Sequence, residues 1–223
     1  MKIINKLSNQ QLKELINIAK NALINYTEIS GGYGYRYYHC VRVMNLCKKL
    51  LRYDEIKEQI KTIDEQALLI SALFHDVGVI VNKKEVNSNY HEQHEVNGSK
   101  MVNRLLSNHL NKKTITKISK IILEHHTIKP EYQETLILQD ADKLDETGLI
   151  NVWRMISYAS YTKKSLKDQM NYYFNHEQER LKKKITNNEF HFQITKKIAE
   201  QRLNKTTSFM NEIKEETTGG DFL

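Results

Sequence analysis

The order of apolar and polar positions along the chain predicts helices almost throughout. Ser8 followed three residues later by Gln11 resembles a capping box, and Leu12, Leu15, Ile16, Ala19, Ala22 and Leu23 then recur at helical spacing, so a first helix is expected over roughly 9–25. A Gly- and Tyr-rich stretch around Gly31-Gly32-Tyr33-Gly34 reads as a loop. It leads into a second helix on which His39, Val43, Leu46 and Leu50 share a face. A third, nearly all-apolar helix is read from Asp64 to Phe74, with Gly78 as its stop and His75-Asp76 at its end. From His91 to about Leu106 the stripe His94, Gly98, Met101, Val102 and Leu105 predicts another helix.

Between Thr114 and His126, Ile115, Ile118, Ile122 and His125 fall three and four residues apart, ending shortly before Pro130, the only proline of the chain. The run Thr135–Asp140 is short enough for a strand. Its continuation through Ala141, Leu144 and Gly148 to Trp153 reads as helix instead, with Asp140 in the first turn. Two more helical stretches are expected around Ser165–Lys184 and Phe190–Glu215. No repeat, linker or alternation of period two interrupts this, so the fold class expected is all-α. One domain is expected over 1–223, with a motif-bearing core at about 27–155 and a C-terminal helical segment at about 160–215.

Composition narrows the partners. Of 223 residues, 39% are hydrophobic and 27% charged, enough apolar material for a packed globule. The formal charge of +7 suits a polyanion, either a nucleic acid or a phosphorylated small molecule. The longest basic run, Lys182-Lys183-Lys184, is short and not interleaved with aromatics, which favours a solvated lysine-rich surface over a nucleic-acid interface. Cys40 and Cys47 stand seven apart on one expected helix, too distant for a local disulfide and without Cys-x-x-Cys spacing, as a reducing cytoplasm would have it. The N-terminus has no apolar signal run and no segment reaches the ~20 apolar residues of a membrane span, so a soluble, intracellular protein is expected. The tyrosines Tyr158, Tyr161, Tyr172 and Tyr173, taken as exposed, are candidates for a homodimer surface.

What changes the picture is where the histidines fall. His39, His75-Asp76, His94 and His125-His126 each lie on the inner face or at the end of a different expected helix, and Asp140 follows. A lone histidine on an apolar stripe is more often a hydrogen-bonded core residue than a ligand. Several buried imidazoles and carboxylates together would cost several kcal/mol apiece if uncompensated, and a divalent cation removes that penalty by accepting their lone pairs. A nitrogen and oxygen donor set without thiolate suits Mn, Fe, Co, Ni, Zn or, less well, Mg.

Three segments, Tyr38-His39-Cys40-Val41-Arg42-Val43, Leu73-Phe74-His75-Asp76-Val77-Gly78 and Asp140-Ala141-Asp142-Lys143-Leu144-Asp145, resemble the motifs of the HD superfamily of metal-dependent phosphohydrolases in order and spacing. The likeness covers about residues 35–150, and Phe174–Phe209 is similar to the C-terminal helices of stand-alone bacterial members. It implies an all-α fold with His39, His75, Asp76 and Asp140 as metal ligands. His94-Glu95-Val96-Asn97-Gly98 and Glu124-His125-His126 resemble the further motifs of branches that hold two metals. The other reading of His94, His125 and His126 is that they bind phosphate or shuttle a proton. Asp76 is expected to orient the attacking water, with His94, His125 and Lys143 as further catalytic candidates. Arg36, Arg42, His126 and Lys143 are the candidates for holding substrate phosphate.

The branches separate by what is missing. The residues Thr127–Tyr132 after the histidine pair lack the Gly-Tyr-Pro of cyclic-dinucleotide phosphodiesterases. Residues 77–139 lack the Glu-Asp pair of alarmone hydrolases, and Val79 stands where nucleoside-monophosphate phosphatases carry glutamate. The stand-alone bacterial type survives, some of whose members cleave nucleoside triphosphates, so a phosphorylated small molecule such as a (d)NTP is the expected substrate. A catalytically silent nucleotide sensor, or a regulatory protein associated with nucleic acid, is the alternative.

Overall fold

The computed structural model describes residues 1–28, 30–82 and 93–219, and within them the fold is all-α, with only short strands added. Two compact units are distinguished. The first comprises Met1–Glu28 and Tyr33–Asp142, and the second the described residues of Ile29–Gly32 and Lys143–Leu223.

The first unit opens with strand β1 (Lys2–Ile4) and helix α1 (Asn9–Leu23). The Ser8 side chain accepts from the Gln11 amide while the Gln11 side chain reaches back to Ser8, the reciprocal arrangement that the Ser-x-x-Gln spacing predicts. Strands β2 (Thr27–Glu28) and β3 (Gly32–Tyr33) are two residues each. Helix α2 (Tyr35–Leu50) follows, burying His39, Cys40, Val43, Met44, Cys47 and Leu50. Helix α3 (Asp54–Gln59) and strand β4 (Thr62–Asp64), which the apolar pattern did not signal, come next, and β4 lies parallel to β1 with Ile3 opposite Ile63. These segments are too short to develop a period.

Asp64 caps α4 (Glu65–Phe74) through the Ala67 amide, and residues Ala67 to Phe74 of that helix are all buried. Such all-round burial makes α4 the spine of the unit, packed by α2 on one side and α6 (Lys112–Glu124) on another. A 3-10 turn (Val77–Asn82) continues from it. Helix α5 (His94–Leu106) packs on that turn and on α6; the part of its expected range from His91 lies outside the described residues. Helix α7 (Gln133–Asp145) completes the unit and runs on into the next. It begins earlier than expected, so Asp140 stands two turns inside it rather than in its first turn.

The second unit contains α8 (Leu149–Thr162), α9 (Leu166–Tyr172), a π turn (Tyr173–Glu177), α10 (Gln178–Thr186) and α11 (Gln193–Thr218). Its core gathers Val152, Met155, Met170, Tyr173 and Met210. Tyr173 is therefore not a surface residue: it is fully buried and its hydroxyl bonds Thr207 Oγ1 at 3.0 Å, whereas Tyr158, Tyr161 and Tyr172 are exposed as the sequence suggests. Both cysteines are buried free thiols. Among the described residues no helix is long and apolar enough to cross a membrane.

Candidate metal centre

The centre lies in the first unit, where the ends of α4 and α6, the start of α5, the second turn of α2 and the last turn of α7 each deliver a ligand-type side chain. Helix ends carry histidine here for a physical reason. The Nδ1 atoms of His75 and His125 stand 2.9 Å and 2.6 Å from the carbonyl oxygens of Ala72 and Ile122, three residues earlier in each case. A carbonyl only accepts, so Nδ1 donates in both rings and Nε2 is the atom turned inward.

Inward, the Nε2 atoms of His39 and His75 are 3.1 Å apart. Asp142 Oδ1 lies 3.1 Å from the first and 3.6 Å from the second. Asp76 Oδ2 lies 3.5 Å and 3.7 Å from the same two nitrogens. The other oxygen of Asp76, Oδ1, is 3.6 Å from His94 Nε2, which in turn is 3.3 Å from His125 Nε2. Donor atoms of His39, His75 and Asp142 fall within 4.8 Å of one another, and so do those of His94, His125 and His126. The Asp76 carboxylate thus stands between two imidazole clusters, one oxygen to each.

Gly78 makes this approach feasible. A Cβ there would sit 1.9 Å from the His94 carbonyl oxygen and 2.5 Å from the Gly98 nitrogen, so any side chain would push α5, and His94 with it, off the 3-10 turn. The glycine that marks the end of an apolar helix in the sequence is therefore also what brings the second cluster to the first.

Charge divides the two clusters. Burial opposes ionisation of Asp76, but Arg36, His75 and His39 hold its carboxyl well below the usual range. Asp142 is held well below it too, against burial, by hydrogen bonds with His39 and His75. Burial also opposes a charged His75, yet Asp76 and its other neighbours lift its pKa well above that of ordinary imidazole. The second cluster behaves oppositely: burial, then the neighbouring His126 and His75, push His125 down to about 3, and burial lowers His126. Two ionised carboxylates and an imidazole that retains its proton form a pocket that draws a cation. A divalent ion fits that donor set, because it can replace the proton between nitrogens whose lone pairs face each other.

The expected residues are not all placed alike. His39, His75, Asp76, His94, His125 and His126 come together. Asp140 does not join His39 and His75; Asp142 does. Asp140 is wholly buried, and its charge adds to the burial and the Asp142 charge that push the Cys47 thiol up. Positions two apart on a helix point roughly 200° apart, so only one of the two aspartates can face the cluster.

Arg36 binds Asp76 at 2.5 Å instead of standing open to a substrate phosphate, and Arg42 lies 5.3 Å over the Tyr35 ring, which stacks on His39. Lys143 belongs to the second unit, where it donates to the Glu189 carbonyl oxygen. Three residues were not singled out from the sequence. Asp142 is one. Glu95 is another, with its carboxylate 3.4 Å from His94 Nδ1 and 3.8 Å from His126 Nε2. Cys40 is the third, its sulfur grouped with His75 and Asp76. Glu95 had a signal, since a carboxylate next to a ligand-type histidine is a common orienting partner.

The HD domain family model matches residues 36–147, half of the chain, and spans both clusters. Several solved structures share the fold. A protein from an uncultured Thermotogales bacterium, described as a predicted HD superfamily hydrolase, is 24% identical, with 92% of each chain covered and a TM-score of 0.57. Bacillus subtilis YpgQ in complex with ADP is 18% identical, covering 95% of this chain and 97% of its own, with a TM-score of 0.62. A Lactobacillus plantarum protein is 18% identical over 96% of this chain and 100% of its own, with a TM-score of 0.58. A comparison with curated proteins gives no match.

Proposed function

The chain belongs to the HD domain family, and from that membership we propose that it is a metal-dependent phosphohydrolase cleaving a phosphoester or phosphoanhydride bond of a nucleotide, such as a (d)NTP. The observation that carries this reading is the Asp76 carboxylate, with Oδ2 on the His39 and His75 side and Oδ1 on the His94 side. That placement suits two cations sharing one carboxylate.

In this reading His39, His75 and Asp142 would hold one metal and His94, His125 and His126 another, with an Asp76 oxygen available on each side. Divalent ions bound there supply an acidified water as nucleophile and neutralise charge on phosphoryl oxygens. The protein does the positioning. Arg36 fixes the Asp76 carboxylate by a charge-assisted contact of 2.5 Å, keeping both its oxygens turned to the imidazoles. The carbonyls of Ala72 and Ile122 lock the rings of His75 and His125, and Glu95 lies beside both His94 and His126. His126, whose side chain is 53% exposed, would hold its metal where a phosphate arriving from solvent can reach it. The nucleotide assignment is supported by the formal charge of +7, which favours an anionic substrate, and by the capture of ADP by the similarly folded YpgQ.

The test is metal analysis of the purified protein together with a screen for phosphate and pyrophosphate release from nucleotides in Mn, Co, Ni and Mg. Wild type is expected to turn over at least one nucleotide and Asp76→Ala none. Absence of turnover by wild type in every metal would overturn the enzyme and leave the silent nucleotide sensor.

A further inference from the structure

The second unit contains polar groups that the metal centre does not use. A cavity of about 440 Å³ is lined by Asn151, Arg154, Tyr158, Lys164, Gln169 and Arg180 among others, with two carboxylates, Glu146 and Glu177. Both acids are already engaged. Arg180 grips Glu177 with two hydrogen bonds of 2.8 Å and 2.7 Å, and Asn151 donates to the same carboxylate at 2.7 Å. Lys184 reaches Glu146 at 2.5 Å. Three cations against two carboxylates line the wall, and Lys184 adds a fourth charge behind it, so the chamber favours an anion.

A second cavity, of about 250 Å³, is lined chiefly by Val152, Met155, Met170, Met210 and Ile213. Methionines at three of these places give an adaptable apolar wall suited to an unbranched or planar hydrocarbon. The two cavities share Met155, Lys164 and Gln169. Gln169 is the informative residue of that wall. It is 5% exposed, and it lines both cavities. A ligand passing between the cavities would lie against this side chain, whose amide can both donate and accept.

We propose that the two cavities form one binding site for a small amphipathic anion, its acidic head beside Lys164, Arg154 and Gln169 and its hydrocarbon body against Met155, Met170 and Met210. Together the chambers have the size of an ordinary small-molecule pocket, about 300–1,000 Å³. The polar chamber alone would suit a simple anion, but it is the shared amide and the apolar chamber that select a ligand with both parts.

Decane-1-sulfonate, which no phosphohydrolase cleaves, is a suitable probe for calorimetric titration of the full chain below the micelle-forming concentration. The expected result is saturable binding of one molecule per chain, with methanesulfonate and decanol each at least tenfold weaker. Lys164→Glu, which reverses the charge at the head, and Ile213→Trp, which fills the apolar chamber from its half-buried edge, are each expected to weaken binding at least tenfold while circular dichroism stays unchanged. Gln169→Leu serves as a second head-group variant and is expected to weaken the sulfonate but not decanol. Absence of saturable binding, equal affinity for methanesulfonate, or unchanged affinity in folded Lys164→Glu and Ile213→Trp would overturn the site. Nucleotide turnover is not part of the readout, so these outcomes are independent of the metal centre.

Discussion

The two imidazole clusters of the centre are built from the same residue type and differ in charge. Around His39 and His75 two carboxylates, Asp76 and Asp142, are held ionised, and the imidazole of His75 keeps its proton beyond the ordinary range. In the second cluster burial and neighbouring imidazoles push His125 down to about 3, and burial lowers His126. Burial opposes the charged form in both rings; at His75 Asp76 and the other neighbours outweigh it, whereas at His125 the neighbouring His126 and His75 add to it. The first cluster is therefore expected to hold its cation more tightly, and the second to depend on the oxygen that Asp76 lends it.

The largest effect expected follows from removing the group common to both. Asp76→Ala should lower nucleotide hydrolysis by on the order of a thousandfold, several kcal/mol of transition-state stabilisation, and should lower metal content at both clusters. Plasma emission spectrometry beside a turnover assay reads this, and retention of both metals would break the shared-carboxylate reading. Next comes the choice between the two aspartates of α7. Asp142→Asn should lose metal from the first cluster and about a hundredfold in rate, whereas Asp140→Asn should keep its metal. The reverse result would restore Asp140 as the ligand.

Smaller still, His125→Ala is expected to remove only the weaker metal, halving occupancy at saturation and lowering the rate by about 10–100-fold. Loss of both metals would show that the clusters are not separable. Proton release sharpens the contrast in another way. At neutral pH the first equivalent of metal must displace the proton that His75 retains, whereas the second meets His125 and His126, whose pKa values are lowered. Calorimetry in buffers of different ionisation enthalpy should report proton release for the first equivalent only.

The smallest effect concerns the metal-free protein. His125, lowered in the fold, leaves the unfolded chain binding the extra proton between about pH 6.5 and 3, so its contribution falls as pH drops through that window, at most about 1.4 kcal/mol per unit. His75, raised in the fold, stabilises below about pH 6.5, and that contribution is lost as pH rises through its raised value. Metal-free stability should therefore peak near the ordinary imidazole value, and His125→Gln should flatten the acid side. Urea midpoints across pH 4–9 would measure both limbs.

Much of this was legible along the chain. The capping box at Ser8 follows from a local spacing, the spine of α4 from an unbroken apolar run, and the stripe that puts His94 on the same face as Gly98 and Met101 from a helix with one dry and one wet face. His39, His75, Asp76, His94 and His125 stand out for the same reason, being polar residues on faces that ought to be apolar. Tyr173 misled because its short helical segment passes through a π turn, which shifts the face that a regular count assigns to it.

Sequence by itself determined the all-α class, the longer helical stretches and the set of histidines that meet. Only the tertiary structure decided which aspartate of Asp140-Ala141-Asp142 joins them. Helix α7 is buried almost all round, with Ile137, Leu138, Asp140, Ala141 and Leu144 all fully enclosed, so no wet face remains in its sequence to phase it. Its rotation is set by packing on its neighbours, and that rotation turns Asp142 toward His39 and His75. The charge contrast between the clusters was equally hidden, because it depends on distances between residues far apart in the chain, such as the 3.1 Å from Asp142 to His39 and the 2.5 Å from Arg36 to Asp76. Local periodicity reports which face is buried; it carries no information about what that face meets.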